Sequence, residues 1–256
     1  MNLKFVYPGA AYSVESCLPF MDADTPYWRE PFYQFHPEFD RTRFERADSE
    51  ERRALLTAYL ERQERAHRAE IAEKLERCNA HWSACRPQIV AALEDRFGVL
   101  LDDSFNDMEG RMSFNPISPR YLDEQAFDVF WLNSERGALG MALHEIIHFV
   151  WFLVWQERFR DSQEEYERPS LKWILSEMVV DPIMRDPRLS QINPYFADGC
   201  VYDYFYKMTV ADRPVLEVLD ELMRTRPMDS FMNDAFALLS EHESEIRRQI
   251  AQAENG

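Results

Sequence analysis

The stretch that decides the fold runs from Gly137 to Trp155 and reads GALGMALHEIIHFVWFLVW. Only three of its nineteen side chains are polar, and they lie near the middle as His144, Glu145 and His148. A helix that is apolar on every side belongs in a protein core or in a membrane. Three ionisable groups are costly at the centre of a bilayer, and the sequence has no second apolar span to receive them. We therefore expect a buried core helix.

The composition of the whole chain favours a mainly helical fold. Its 256 residues are 46% apolar, which is enough to fill a core, and they include only 7 glycines. Two short segments rich in Phe, Val and Trp, residues 111–117 and 126–133, predict strands shortly before the apolar helix. The expected fold class is α+β, predominantly helical, with a small sheet preceding the helix that carries His144.

The N-terminal region, residues 1–110, is expected to be partly irregular and partly helical. Residues 1–47 contain five prolines and are predicted to be irregular, apart from a strand at residues 3–7. Acid–base pairs four residues apart predict a long helix over residues 48–80. A second helix is expected over residues 87–97, ending at Gly98.

Residues 111–256 are expected to form the region that carries the chemistry. Ser134 and Ser170 are candidate N-caps of two helices, the second of which Pro182 should interrupt. Further helices are expected around residue 202 and over residues 215–223 and 231–250.

Charge and cysteine content narrow the environment and the partners. A formal net charge of −17 repels phosphate backbones and anionic lipid surfaces, so neither nucleic acid nor a membrane is an expected partner. The first residues lack the apolar stretch of a signal peptide, so a cytoplasmic location is expected. The four cysteines form no C-x-x-C pair and are expected to be reduced packing residues; they are Cys17, Cys78, Cys85 and Cys200.

The spacing of the three central polar residues points to a metal. Two histidines four residues apart lie on one face of a helix, so ring nitrogens of His144 and His148 can bind one ion. Glu145 is offset by about 100° and reaches the open side of the metal, which suits a general base. A zinc-bound water is acidified, and Glu145 would take its proton so that the hydroxide attacks a carbonyl carbon. The pattern predicts zinc-dependent hydrolysis of peptide bonds.

A catalytic zinc usually has three protein ligands, so a third must come from elsewhere in the chain. The metzincin pattern would place glycine at 151 and histidine at 154, where this chain has Trp151 and Val154. Three acids of the loop 161–169 stand in a very polar context and are expected to be solvated; they are Glu164, Glu165 and Glu167.

Glu177 is the predicted third ligand. It stands in the segment WILSEMVVD, residues 173–181, a mostly apolar helix in which an unpaired carboxylate is costly. Asp181 follows one turn later and is predicted to accept a hydrogen bond from the distal N–H of a ligating histidine.

Taken together, H-E-x-x-H at 144–148 and E-x-x-x-D at 177–181 resemble the gluzincin branch of the zincin metallopeptidases. The resemblance covers residues 111–185 and implies a zincin-like fold in which the two histidines and Glu177 hold Zn2+. It further implies that Glu145 is the catalytic base and that Asp181 supports a histidine. It also implies that a peptide or protein substrate adds as a strand beside the strand upstream of the active-site helix, a role for residues 111–117.

Two features depart from that family. The interval between His148 and Glu177 is longer than in its best-known members, and Pro182 directly follows Asp181. The family also uses a Tyr or His to stabilise the oxyanion, for which no motif matches clearly here. Three tyrosines are candidates, although an aromatic cluster is also typical of a core; they are Tyr202, Tyr204 and Tyr206.

Two alternatives remain open at this stage. One is a di-iron helical protein, because Glu145-x-x-His148 and Glu64-x-x-His67 both fit the E-x-x-H ligand pair of such bundles. His67 stands in a densely charged stretch, however, and is expected to be exposed. The other alternative is a zincin fold used as a non-catalytic binding or regulatory protein.

Overall fold

The computed structural model describes residues 1–23, 25–101, 104–160, 166–194 and 196–255. The chain divides into two compact units, each built from two separate segments. Unit 1 consists of Met1–Ala84 and Ser104–Ala142, and unit 2 of Cys85–Asp103 and Leu143–Gly256. The fold is α+β and predominantly helical, as the sequence predicts.

Unit 1 contains a mixed sheet of four strands in the order β1-β2-β4-β3. The strands are β1 (Leu3–Val6), β2 (Met108–Ser113), β3 (Arg120–Tyr121) and β4 (Ala126–Phe130). β1, β2 and β4 are parallel, and β3 runs antiparallel to β4. A small sheet therefore precedes the apolar helix, as predicted. The predicted division of the chain between residues 110 and 111 falls within β2.

The place of β2 in the sheet rules out one expectation. Glu109, Gly110 and Arg111 pair with β1 on one side and with β4 on the other. The next three residues, 112–114, are fully buried. Backbone groups that are already paired or buried cannot bind a peptide as an added strand. For residues 111–114, the prediction that this segment holds the substrate in this way is therefore wrong.

The N-terminal segment is helical where its prolines predicted irregular structure. It forms α1 (Ala10–Met21), α2 (Pro26–Phe35) and α3 (Arg41–Arg46). Pro26 occupies the first turn of α2, where a missing N–H costs little. Asp40 caps α3 by accepting a hydrogen bond from the backbone N–H of Arg43. Pro19 and Pro31 lie inside helices, which shows that tertiary packing outweighs their intrinsic cost.

A single long helix, α4 (Ser49–Phe97), replaces the two helices predicted over residues 48–80 and 87–97. Pro87 lies inside it and removes one backbone hydrogen bond. Ile89 and Leu93 on the following turns are fully buried, and we attribute the continuity of the helix to that burial. Gly98 then ends α4 with a φ of 68°, the left-handed conformation typical of the residue after a helix.

The apolar helix is α5 (Glu135–Phe159), and the predicted cap is confirmed. The Ser134 hydroxyl accepts a hydrogen bond from the backbone N–H of Gly137 at 3.1 Å. Among the described residues, α5 alone is long and apolar enough to cross a membrane by those two criteria, and 83% of its most apolar window is buried inside the protein. Buried core helices meet the same criteria.

Helix α6 (Leu171–Met184) follows in unit 2 and is almost completely buried. Its predicted cap is also confirmed, because the Ser170 hydroxyl accepts a hydrogen bond from Trp173 N–H at 3.1 Å. Every residue of α6 except Lys172 is buried, and the helix continues through Pro182. The predicted interruption at Pro182 is therefore wrong, which we ascribe to the contacts α6 makes with α8 (Val215–Thr225) and α9 (Met228–Glu241).

The remaining elements of unit 2 are short, apart from the last helix. They are α7 (Pro187–Ser190), a 3-10 turn at Phe196–Asp198, the hairpin of β5 (Thr209–Val210) and β6 (Arg213–Pro214), and α10 (Glu243–Asn255). Helices expected over residues 215–223 and 231–250 are present as α8, α9 and α10. The residues around Tyr202 form turns instead of the expected helix.

Candidate metal site

Helix α5 presents His144 and His148 one turn apart, with ring centroids 4.7 Å from each other. The side chain of His148 is fully buried, whereas that of His144 is 15% exposed. Imidazole nitrogens inside a protein require partners, because an unsatisfied polar group costs free energy when it leaves water. The partners of these two rings therefore decide what the pair can do.

Helix α6 supplies the third member of the cluster, Glu177. Its Oε2 atom lies 3.3 Å from Nε2 of His144 and 3.4 Å from Nε2 of His148. The two Nε2 atoms are 3.0 Å apart. The structure thus brings together the three residues predicted as metal ligands. In the part of the chain that the structure describes, no other group of three His, Cys, Asp or Glu side chains has such spacing.

These distances suit a small divalent cation such as zinc. Zinc binds His nitrogen and carboxylate oxygen at about 2.0–2.2 Å, so two ligand atoms at the tetrahedral angle stand about 3.3 Å apart. The three observed distances, 3.0, 3.3 and 3.4 Å, form a nearly regular triangle of that size. Two imidazoles with one carboxylate are also a donor set that zinc accepts.

The backbone of a distant loop holds the other nitrogen of His144. Its Nδ1 lies 2.9 Å from the carbonyl oxygen of Cys200. A carbonyl oxygen only accepts hydrogen bonds, so Nδ1 must carry the hydrogen. In the neutral ring, Nε2 then keeps its lone pair, and this atom is the one that faces Glu177 and His148. That tautomer is the one a metal ligand needs.

The site concentrates negative charge in a buried place. Glu145 and Glu177 are only 5% and 4% exposed. Burial alone lowers the pKa of His144, but the hydrogen bond to Glu177 and the charges of both glutamates outweigh burial and raise it. Burial alone raises the pKa of Glu177, but the neighbouring imidazoles, His148 first, bring it well below its usual value. The cluster therefore favours a positive charge at its centre.

Asp181 lies on the same helix as Glu177 but has other partners than predicted. Its Oδ1 accepts a hydrogen bond from Nε of Arg185 at 2.8 Å, and its Oδ2 accepts one from the Tyr206 hydroxyl at 3.0 Å. The Cys200 thiol is 3.9 Å from Oδ2. Among the described residues, no hydrogen bond joins Asp181 to a histidine. For His144, the carbonyl of Cys200 takes the place predicted for Asp181.

The three tyrosines considered for oxyanion stabilisation have different environments. The Tyr206 hydroxyl accepts a hydrogen bond from the backbone N–H of Cys200 at 2.9 Å while donating to Asp181. Tyr202 and Tyr204 stack on each other, with centroids 5.3 Å apart, and Tyr202 also packs near Trp173. Sequence reasoning missed the role of the Cys200 backbone, because a carbonyl group is common to every residue and leaves no signal.

The other candidates from the sequence do not form a second cluster among the described residues. His67 is partly buried instead of exposed: its ring packs 4.4 Å from that of Trp131, and its Nδ1 lies 3.2 Å from a Glu70 carboxylate oxygen. Glu64 belongs to no such group of ligands. Glu167 is exposed, as predicted, whereas Glu164 and Glu165 lie outside the described residues.

Comparison with known proteins adds no assignment to this geometry. No protein-family model, curated protein or solved structure significantly matches the chain.

Proposed function

We propose that this protein is a zinc-dependent peptidase with a zincin-like active site, in which His144, His148 and Glu177 hold the ion and Glu145 is the general base. One observation carries the proposal: two imidazole nitrogens and a carboxylate oxygen lie 3.0–3.4 Å apart in a buried place. Those spacings suit a tetrahedral zinc site with one position left for water.

The hydrogen-bonding capacity of the cluster supports a cation over an arrangement of two neutral imidazoles. With the Nδ1 hydrogen of His144 directed at Cys200, the neutral His144 ring offers only an acceptor at Nε2. A neutral His148 then carries at most one hydrogen on its own Nε2. That hydrogen would have to be shared between Nε2 of His144 and the Glu177 carboxylate. A cation satisfies all three atoms at once and offsets the buried charge of Glu177.

The proposed chemistry divides between the ion and Glu145. Zinc, when bound, lowers the pKa of a water ligand and polarises the carbonyl group of the scissile bond. Glu145 follows His144 directly in α5, and its charge is one of those that raise the pKa of that ring. Glu145 would take a proton from the attacking water and deliver it to the leaving amine.

The proposal is tested by metal analysis and peptide hydrolysis on the same preparations. Wild-type protein should contain one zinc per chain and cleave members of a diverse peptide library, with products identified by mass spectrometry. Glu145→Gln should keep the zinc and lose hydrolysis, because glutamine cannot exchange the proton. His144→Ala and Glu177→Ala should lose the zinc.

Glu157→Gln is the matched control, because Glu157 is an exposed glutamate on the same helix. It should change neither the zinc content nor the hydrolysis rate. An unchanged zinc content in Glu177→Ala would disprove the ligand assignment, and full hydrolysis by Glu145→Gln would disprove the base. One zinc without hydrolysis in the wild type would favour the non-catalytic alternative, and two irons would favour the di-iron alternative.

A further inference from the structure

We propose that Tyr206, anchored by Asp181, is a positioning residue that holds the Cys200 carbonyl against His144 and so presents the Nε2 atom of His144 to the metal. This inference rests on the proposed zinc site. It assigns Tyr206 a place in the support of the ligands, in contrast to the oxyanion role considered from the sequence.

The need for such support follows from the unequal burial of the two histidines. His148 is fully buried, and its ring stacks on that of Phe152 with an interplanar angle of 19°. His144 is partly exposed, and its Nδ1 is bonded to a loop carbonyl. Packing can therefore orient His148, whereas the less enclosed ring of His144 depends more on its hydrogen bond to the Cys200 carbonyl.

The loop that provides this carbonyl has no regular secondary structure of its own. Residues 199–207 lie outside helices and strands, and Gly199 has a φ of 112°, a left-handed conformation that favours glycine. A segment without backbone hydrogen bonds to a helix or sheet keeps its geometry only through specific contacts. Contacts other than the backbone hydrogen bonds of a helix or sheet must therefore fix the position of the Cys200 carbonyl.

The Tyr206 hydroxyl supplies that contact by joining the loop to α6. It accepts the hydrogen bond of the Cys200 N–H at 2.9 Å and donates its own hydrogen to Oδ2 of Asp181 at 3.0 Å. The ring also packs on Gly199, where an added Cβ would lie 3.2 Å from a ring carbon. The Tyr206 hydroxyl thus holds the N–H group of Cys200, and the carbonyl group of the same residue binds His144.

Asp181 is itself held in place by a chain of ion pairs. Two of the three side-chain nitrogens of Arg185, Nε and Nη2, contact its Oδ1 at 2.8 and 2.7 Å. Nη1 of Arg185 lies 3.1 Å from Oδ2 of Asp220, and Arg224 pairs with the same carboxylate oxygen. A continuous series of ion pairs and hydrogen bonds therefore connects α8 to the loop by way of α6. Asp181 would support His144 indirectly, through Tyr206 and the backbone of Cys200.

The test compares Tyr206→Phe with wild type by two measurements. The first is the solvent-exchange rate of the His144 Nδ1 hydrogen, followed by 15N–1H NMR, which needs no metal. The second is zinc affinity, measured by competition with a chromophoric chelator. Tyr206→Phe keeps the ring on Gly199 but removes the hydroxyl, so exchange should accelerate and zinc affinity should fall, each by about tenfold or more.

Asp203→Asn is the matched control, because it changes an exposed polar side chain of the same loop; its exchange rate and zinc affinity should stay within about twofold of wild type. Asp181→Asn is a second variant that keeps the Tyr206 ring and should change both readouts in the same direction as Tyr206→Phe. It decides the matter if Tyr206→Phe fails to fold. Unchanged exchange of the His144 hydrogen in the folded variant would overturn the inference, even if affinity fell. A wild type that binds no zinc would overturn the proposed function, while the exchange measurement would still decide the role of Tyr206.

Discussion

The buried carboxylate of Asp128 offers a sharp test of how unit 1 is stabilised. Asp128 lies at the centre of β4 and is fully buried. Tyr12 donates a hydrogen bond to Oδ1 at 2.5 Å, and Ser16 and Ser113 donate to Oδ2 at 2.5 and 2.8 Å. One side chain therefore ties α1, β2 and β4 together. We expect Asp128→Ala to weaken all three connections.

The magnitude follows from the burial of the three donors. Ser16 and Ser113 are only 4% and 0% exposed, so each hydroxyl that loses its acceptor costs about 1–3 kcal/mol. Tyr12 is partly exposed, so water can replace its acceptor. The expected loss is about 3 kcal/mol, which corresponds to roughly 150-fold more frequent opening of the sheet. Asp128→Asn keeps the size and one acceptor oxygen, and should cost about 1 kcal/mol.

Native-state hydrogen exchange of the β2 and β4 amides measures this opening directly. Asp123→Ala is the control, because Asp123 is an exposed aspartate just before β4, and its exchange should match the wild type within about twofold. The reasoning from buried hydroxyls is refuted if the sheet amides of Asp128→Ala exchange within about threefold of the wild-type rate.

Three further predictions concern pH, packing and metal. Burial raises the pKa of Asp128 despite its hydrogen bonds, so the native state binds the proton more tightly than the unfolded chain. The stability of wild type relative to Asp128→Asn should therefore fall as pH rises from the usual aspartate pKa through the native one; urea titrations showing a rise would contradict this. Gly110→Ala would place a methyl group 2.8 Å from a ring carbon of Phe5 and should lower the free energy of unfolding by about 1–3 kcal/mol, so an unchanged urea midpoint would exclude the clash. Removing zinc with a chelator should lower the melting temperature of wild type and leave that of Glu177→Gln unchanged. The loss corresponds to about 2.7 kcal/mol of stability if free zinc had been present at 100 times its Kd. Equal shifts in both proteins would place the metal elsewhere.

Much of the candidate site could be predicted because its signals are local. His144 and His148 share a helix face by their spacing alone, and their apolar surroundings make a partner necessary. Glu177 stood out for the same reason, as a carboxylate in an apolar helix. The structure brings its Oε2 within 3.4 Å of both histidine Nε2 atoms.

The support of these residues could not be predicted, because it depends on contacts between distant segments. The Asp181 carboxylate lies one turn from Glu177, yet its partners are Arg185, Tyr206 and the Cys200 thiol. The acceptor for His144 is a backbone carbonyl 56 residues away in sequence. No spacing rule identifies a carbonyl group, since every residue has one.

The sequence alone determined the apolar helix α5 and its cap at Ser134, because both depend on neighbours within a few residues. Tertiary structure decided that α4 and α6 continue through Pro87 and Pro182. Burial of Ile89 and Leu93 in α4, and of almost all of α6, outweighs the one hydrogen bond that each helix loses. It also decided that β2 lies inside the sheet, because β2 pairs with β1, which belongs to the other of the two sequence segments that form unit 1. Local sequence patterns identify the candidate ligands, and long-range packing determines which groups surround them.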